Sequence, residues 1–187
     1  MATVILVTGG SRSGKSAYAQ QLAERLPGRR AFIATCPVLD DELHRRVEKH
    51  KEARRAARWD TIEETIELAR ALSDATDHQV LLVDCLTLWV NNLLYEAERH
   101  GGELSESDVE AHCARLLDAC RQREGTIIFV TNEVGWGIVP DNALARRFRD
   151  LAGRCNQRIA AAADEVVLVV CGIPLQLKKG QARGEPA

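Results

Sequence analysis

Residues Gly9 to Ser16 read GGSRSGKS and fill every fixed position of G-x-x-x-x-G-K-[ST]: Gly9, Gly14, Lys15 and Ser16. The flanks carry as much information as the match. Val4-Ile5-Leu6-Val7-Thr8 is a short, β-branched apolar run suited to a buried parallel strand, and Ala17 to Leu26 is built mostly of good helix formers. Strand, glycine loop and helix follow in the order a phosphate cradle needs. Glycines let backbone N–H groups converge on phosphate oxygens without Cβ clashes, and the helix N-terminus adds partial positive charge. Gly10, Ser11, Arg12 and Ser13 complete the loop, Lys15 can reach the β/γ-phosphates, and the Ser16 hydroxyl can ligate Mg²⁺. A glycine-rich turn with an accidental lysine would not bring both flanks with it. The stretch commits the chain to an α/β fold that binds a nucleoside triphosphate.

The 187 residues suit one domain with a sizeable core, expected over 1–172, with 173–187 as a frayed tail lacking an apolar pattern. A formal net charge of −2, without a long basic run, argues against nucleic-acid and membrane-surface binding. No apolar run approaches the ~20 residues of a membrane span, and the N-terminus enters a strand without a leader pattern, so a cytoplasmic protein is expected. Six scattered cysteines without a C-x-x-C pair read as buried thiols.

Further strands are expected at Ala31–Thr35, Gln79–Asp84, Thr126–Thr131 and Val166–Cys171, the second of these ending in Asp84 as a magnesium-side carboxylate does. Helices are expected from Asp40-Asp41-Glu42 onward, over Thr61–Leu72 with Ile62, Ile66 and Ala69 inward, over Leu86–Glu98, from a capping box at Ser105, and from Asn142 to Ala163 with Leu144, Phe148, Leu151, Cys155 and Ile159 inward. Five strands separated by helical patterns imply a mainly parallel sheet with helices on both faces and its C-terminal strand ends lining one crevice. On the first of these helices His50 shares a face with Leu43 and Val47, a spacing that by itself favours simple packing. Trp136 lies between Gly135 and Gly137 and suits either a mobile lid or ligand anchor, or a side chain folded back as a plug. A guanine reader of the Asn-Lys-x-Asp kind is not found where Thr131-Asn132-Glu133-Val134 stands.

The glycine loop, Asp40-Asp41-Glu42, His50-Lys51, Thr131-Asn132-Glu133-Val134-Gly135, Gly137-Ile138-Val139-Pro140, Phe148-Arg149-Asp150-Leu151-Ala152-Gly153 and Asn156-Gln157 closely resemble the bifunctional adenosylcobinamide kinase/adenosylcobinamide-phosphate guanylyltransferases of cobalamin synthesis. The resemblance runs from Val4 to Gly172 and implies a RecA-like P-loop NTPase, forming a homotrimer. It also implies two reactions: phosphorylation of adenosylcobinamide by ATP or GTP, then transfer of GMP from GTP to adenosylcobinamide phosphate through a GMP-histidine, releasing pyrophosphate. His50 takes the nucleophile's position, although Lys49 replaces a histidine that family members often carry there. A neutral imidazole can attack the α-phosphorus, and Lys49, Lys51 and Arg54 can disperse phosphate charge and depress its pKa. The implied nucleotide contacts are Ala34, Thr35, Cys36, Lys51, Glu52, Ala53, Arg54, Glu63 and Asp84, with Ser16 and Asp84 on the Mg²⁺ side. Two alternatives stay open at this level: a small-molecule kinase without guanylyl transfer, and a non-catalytic nucleotide-dependent binding module.

Overall fold

The computed structural model describes residues 1–37 and 58–180, so the helix expected from Asp40 onward lies outside it. Successive strand residues point to opposite faces, and here both faces are apolar. In β1 (Thr3–Thr8), Val4 and Leu6 join one core cluster while Ile5 and Val7 join the other. β4 (Val80–Asp84) and β5 (Thr126–Val130) divide in the same way. These runs are the near-continuous apolar strands of a sheet covered on both sides.

The sheet has seven strands in the order β3-β2-β4-β5-β1-β6-β7, with β2 at Arg30–Ala34, β3 at Trp59–Glu63, β6 at Glu165–Val170 and β7 at Ile173–Lys178. All pairings are parallel except β6 with β7. Helix α1 (Lys15–Glu24) buries Ala19 and Ala23 against one face. Helices α2 (Leu68–Asp74), α3 (Leu86–Arg99), α4 (Glu106–Arg121) and α5 (Ala143–Ala162) cover the other, contributing Leu72, Trp89, Leu116 and Ile159 among others.

Four expectations need correction. The helix over Thr61–Leu72 is instead a strand, a turn and a short helix. Trp59, Thr61 and Ile62 are good strand formers, and pairing with β2 holds Trp59 opposite Arg30 and Glu63 opposite Ala34. Glu64 then stops the strand, its Oε1 accepting the N–H groups of Ile66 (2.8 Å) and Glu67 (2.9 Å) just before α2. Ile62, Ile66 and Ala69 do pack on the core, so the spacing found the buried side but not the element. Second, the tail expected to fray from 173 begins as strand β7, whose Ile173, Leu175 and Leu177 alternate on one face; Pro174 lacks an N–H and is tolerated on an edge strand. Third, Leu144 is exposed, one turn before the buried stripe of α5 begins. Fourth, the cysteines are not uniformly buried: Cys171 is exposed in the β6–β7 turn, while Cys36 and Cys85 are half-buried.

The capping box at α4 forms as expected. Ser105 Oγ accepts the Asp108 N–H at 3.2 Å, and Asp108 Oδ2 accepts the Ser105 N–H at 2.9 Å. Ser105→Ala is expected to cost about 1 kcal/mol of stability, read as a lower urea midpoint at unchanged slope. An unchanged midpoint would contradict a stabilising cap.

Candidate active site

Strand register sets the geometry of the site. Pairing places Val7 beside Val130, Val130 beside Asp84, Asp84 beside Ala34, and Ala34 beside Glu63. Five parallel strands therefore finish at one level, and the residues just beyond them share a single edge. With ~4.8 Å between strands, Asp84 stands about 10 Å from β1 and Glu63 about 19 Å from it. Glu63, a helical surface residue on spacing alone, is thus a strand-end residue in the same row as Asp84.

The loop after β1 is shaped by close approach. A Cβ at Gly9 would meet Val169 O at 2.5 Å and Ser13 Oγ at 2.7 Å, so no other residue fits there. Gly14 has φ 93°, a left-handed conformation that costs a side chain energy, and it directly precedes α1. Ser13 N–H donates to Gly10 O (3.3 Å), and Gly172 N–H donates to Ser13 O (2.8 Å), which ties the β6–β7 turn to the loop. Lys15 folds its amine back onto Gly10 O at 3.1 Å. Its charge is thereby held within the ring of backbone groups, where a phosphate would replace one carbonyl with several anionic oxygens. Ser16 is exposed in the first turn of α1. The buried Ser13 hydroxyl has no partner among the described residues.

Buried polar residues gather along this edge. The buried polar side chains among the described residues are Thr8, Thr35, Thr87, Asn92, Thr131 and Asn156. Thr35 Oγ1 accepts the Cys85 N–H (2.7 Å) and donates to Cys85 O (2.9 Å), locking the ends of β2 and β4 together. Asn92 Nδ2 donates to Thr35 O at 2.8 Å and to Thr65 O at 3.1 Å, anchoring α3 to the same edge. Thr131 Oγ1 donates to Asn156 Oδ1 (2.7 Å), and the Thr87 hydroxyl accepts the Asn132 N–H (2.7 Å). Asn156 Nδ2 reaches Asn132 O at 3.2 Å and Glu133 Oε1 at 3.4 Å. Thr8 Oγ1 donates to Glu133 Oε1 at 2.5 Å, and the Glu133 N–H donates to Gly9 O at 3.1 Å. This connected network of buried hydroxyl and amide groups fixes the strand ends that carry the glycine loop.

Of the expected site residues, Gly9 to Ser16, Ala34, Thr35, Cys36, Glu63 and Asp84 come together along this edge. The hydroxyl of Thr35 is fully engaged internally, so its part is to hold the strand ends. His50, Lys51, Glu52, Ala53 and Arg54 lie outside the described residues. Cys85 follows Asp84, and burial, with the neighbouring carboxylate's charge, pushes its thiol pKa up and keeps it protonated. Sequence reasoning gave no role to Thr8, Thr87, Asn92, Glu133 or Asn156. Thr8 and Glu133 carried a signal, as polar residues at or just after the end of an apolar strand, whereas Thr87, Asn92 and Asn156 lie within helices α3 and α5 and carried none.

The family model for "Cobinamide kinase / cobinamide phosphate guanyltransferase" matches residues 5–177. The chain belongs to that family. It is 43% identical over 182 residues to the "Bifunctional adenosylcobalamin biosynthesis protein CobU" of Salmonella typhimurium, covering 94% of this chain and 99% of that one. Its likeness to the Escherichia coli K12 protein of the same description is 42% over 185 residues, with the same coverage. The "Bifunctional adenosylcobalamin biosynthesis protein CobP" of Pseudomonas aeruginosa is 42% identical over 184 residues, covering 97% of this chain and 98% of that protein. Among solved structures, a type III secretion system ATPase superposes with a TM-score of 0.52 at 12% identity, over 89% of this chain and 50% of that one. At that identity the likeness concerns the fold, a P-loop ATPase sheet.

Within the span matched by the cobinamide kinase / cobinamide phosphate guanyltransferase model, the loop after β5 forms a 3₁₀ turn at Val134–Trp136. Trp136 is 65% exposed, which excludes a plug folded into the core. The arginines at the start of α5 divide by partner. Arg146 donates to Pro140 O (2.9 Å) and Asp141 O (2.6 Å), and Arg147 pairs with Glu103 and donates to Leu104 O (3.1 Å through Nε). Arg149 instead lines a cavity of about 300 Å³ with Gly135, Asp150 and Gln157, and its buried Nη1 has no partner among the described residues.

Proposed function

We propose that this chain carries out both reactions of its family on one nucleotide-binding edge. In the first, the γ-phosphoryl group of ATP or GTP passes to the aminopropanol hydroxyl of adenosylcobinamide. In the second, His50 attacks the α-phosphorus of GTP, pyrophosphate leaves, and the phosphate of adenosylcobinamide phosphate displaces the histidine to give adenosylcobinamide-GDP. The observation that carries this reading is the joint presence of a complete phosphate loop and a family match over nearly the whole chain.

In this reading, residues Gly9 to Ser16 hold the triphosphate by backbone N–H groups, and Lys15 moves from Gly10 O to the β/γ-phosphates. Ala34, Cys36 and Glu63, together with Lys51 to Arg54, form the remaining nucleotide contacts, while the fully buried Thr35 holds the strand ends behind them. The position of Glu63, about 19 Å along the edge from β1, favours a second nucleotide pose for guanylyl transfer rather than one pose serving both steps. Mg²⁺ fits the donor set of Ser16 and Asp84, a hydroxyl and a carboxylate, both hard oxygen donors. Among the described residues no group of three His, Cys, Asp or Glu side chains assembles a metal cage, which suits an ion held largely by water and nucleotide phosphates. Once bound, the ion would neutralise charge on the phosphate oxygens.

We also propose a homotrimer. The support is the family resemblance; the exposed Ile173 (65%), Leu175 (52%) and Leu177 (61%) of edge strand β7 add an apolar surface suited to contact between copies. A sedimentation mass of three chains is expected; one chain at all concentrations would contradict it. Among the described residues no helix is long and apolar enough to cross a membrane, and a cytoplasmic enzyme is the consistent setting. The kinase reading is tested with adenosylcobinamide and γ-labelled ATP and GTP in separate incubations with Mg²⁺. Label is expected in the corrinoid with at least one of them; label in water-released phosphate alone would contradict the acceptor.

A further inference from the structure

We infer that Glu133 is the general base of the phosphoryl-transfer step, accepting the proton of the acceptor hydroxyl. The inference rests on the kinase reading above and names the residue that the reading leaves without a role. Glu133 follows β5, the strand directly beside β1, so it stands about one strand spacing, ~4.8 Å, from the strand that launches the phosphate loop. Its own N–H donates to Gly9 O at 3.1 Å, which fixes its backbone against that loop. Its side chain is oriented from one side: the Thr8 hydroxyl at 2.5 Å and Asn156 Nδ2 at 3.4 Å both address Oε1. Among the described residues neither donor reaches Oε2, which is the oxygen left for an incoming proton.

The other carboxylates on this edge are placed differently. Asp84 is two strands from β1 and serves the magnesium side, and Glu63 is four strands away. A carboxylate held by two donors on one oxygen, beside the loop and otherwise half-buried, is what a hydroxyl nucleophile needs. In the step, the substrate oxygen bonds to the γ-phosphorus while its proton passes to Glu133 Oε2. The bond from the γ-phosphorus to the β–γ bridging oxygen breaks, and its electron pair leaves on the nucleoside diphosphate. Guanylyl transfer to His50 has no such requirement, because a neutral imidazole attacks through a lone pair.

Glu133→Gln separates this role from bracing of the loop. The amide oxygen still accepts from Thr8 and Asn156, but the group no longer takes a proton at neutral pH. With adenosylcobinamide and ATP, kcat of phosphorylation is expected to fall by about 10²–10⁴-fold, with KM for ATP changed by less than about threefold. In the same preparation, covalent labelling by α-labelled GTP is expected to keep most of its rate, which also reports correct folding. Phosphorylation retained within a few-fold would overturn the inference, and so would equal loss of both reactions, since that marks a bracing role. A wild-type protein that labels with GTP but never phosphorylates adenosylcobinamide would overturn the kinase reading itself, and the inference with it.

Discussion

Lys15→Ala is expected to lower phosphoryl transfer to adenosylcobinamide by on the order of 10²–10³-fold or more, with little change in folding stability. The size of the effect follows from where the charge sits. Lys15 opens α1 and folds its amine onto Gly10 O at 3.1 Å, so the cation already lies inside the loop before nucleotide arrives. Arg12, the other cation of the loop, is exposed and has a positive φ of 59° that turns the backbone outward. It is poorly placed to replace an ammonium aimed at the β/γ-oxygens. As charge shifts toward the leaving diphosphate, removal of Lys15 takes away the side-chain cation held inside the loop and leaves that charge to backbone N–H groups and the proposed Mg²⁺. Within the described residues the amine bonds a single carbonyl oxygen, Gly10 O, and the variant should unfold at nearly the same urea concentration. Turnover within tenfold of the wild type would mean that the loop does not hold the reacting phosphates.

His50→Asn is expected to divide the two reactions. Adenosylcobinamide phosphate should accumulate at close to the wild-type rate, while adenosylcobinamide-GDP falls to background. Asparagine is similar in reach and polarity but has no nucleophilic ring nitrogen, so the covalent route through the α-phosphorus is closed. Loss of a nucleophile commonly removes several orders of magnitude, larger than any effect expected from the surrounding cations. Formation of adenosylcobinamide-GDP by the variant at more than a small fraction of the wild-type rate would place the nucleophile elsewhere. Loss of phosphorylation as well would indicate that His50 holds the kinase nucleotide.

Much of the sheet was legible because its strands are buried on both faces. Val4–Val7, Val80–Val83 and Ile127–Val130 are apolar without interruption, rich in β-branched residues and only four residues long, which favours a doubly covered strand over a helix. The edges were harder for the same physical reason. β3 and β7 lie at the two ends of the strand order and carry mixed patterns, so Ile62 joined a false helical spacing and Pro174 disguised an alternating strand. Within the site, the glycine loop and Asp84 could be read from residue type at fixed spacing. The network of Thr8, Thr87, Thr131, Glu133 and Asn156 could not, because its bonds join residues up to 125 positions apart in the chain. Polar residues after a strand mark an edge where something binds; only the register shows which of them meet. Glu63 illustrates the point: an ordinary helical glutamate by spacing, it becomes a member of the Asp84 row once β3 is paired to β2.

One chain is proposed both to phosphorylate the corrinoid and to carry GMP on a histidine. Incubation with α-labelled GTP and Mg²⁺, without any corrinoid, tests it most directly when the denatured protein is then exposed to acid and to base. The wild-type protein is expected to carry a label that is labile in acid, stable in base, and absent from His50→Asn. A wild-type protein that phosphorylates adenosylcobinamide but takes no label, or a label that persists in His50→Asn, would contradict it.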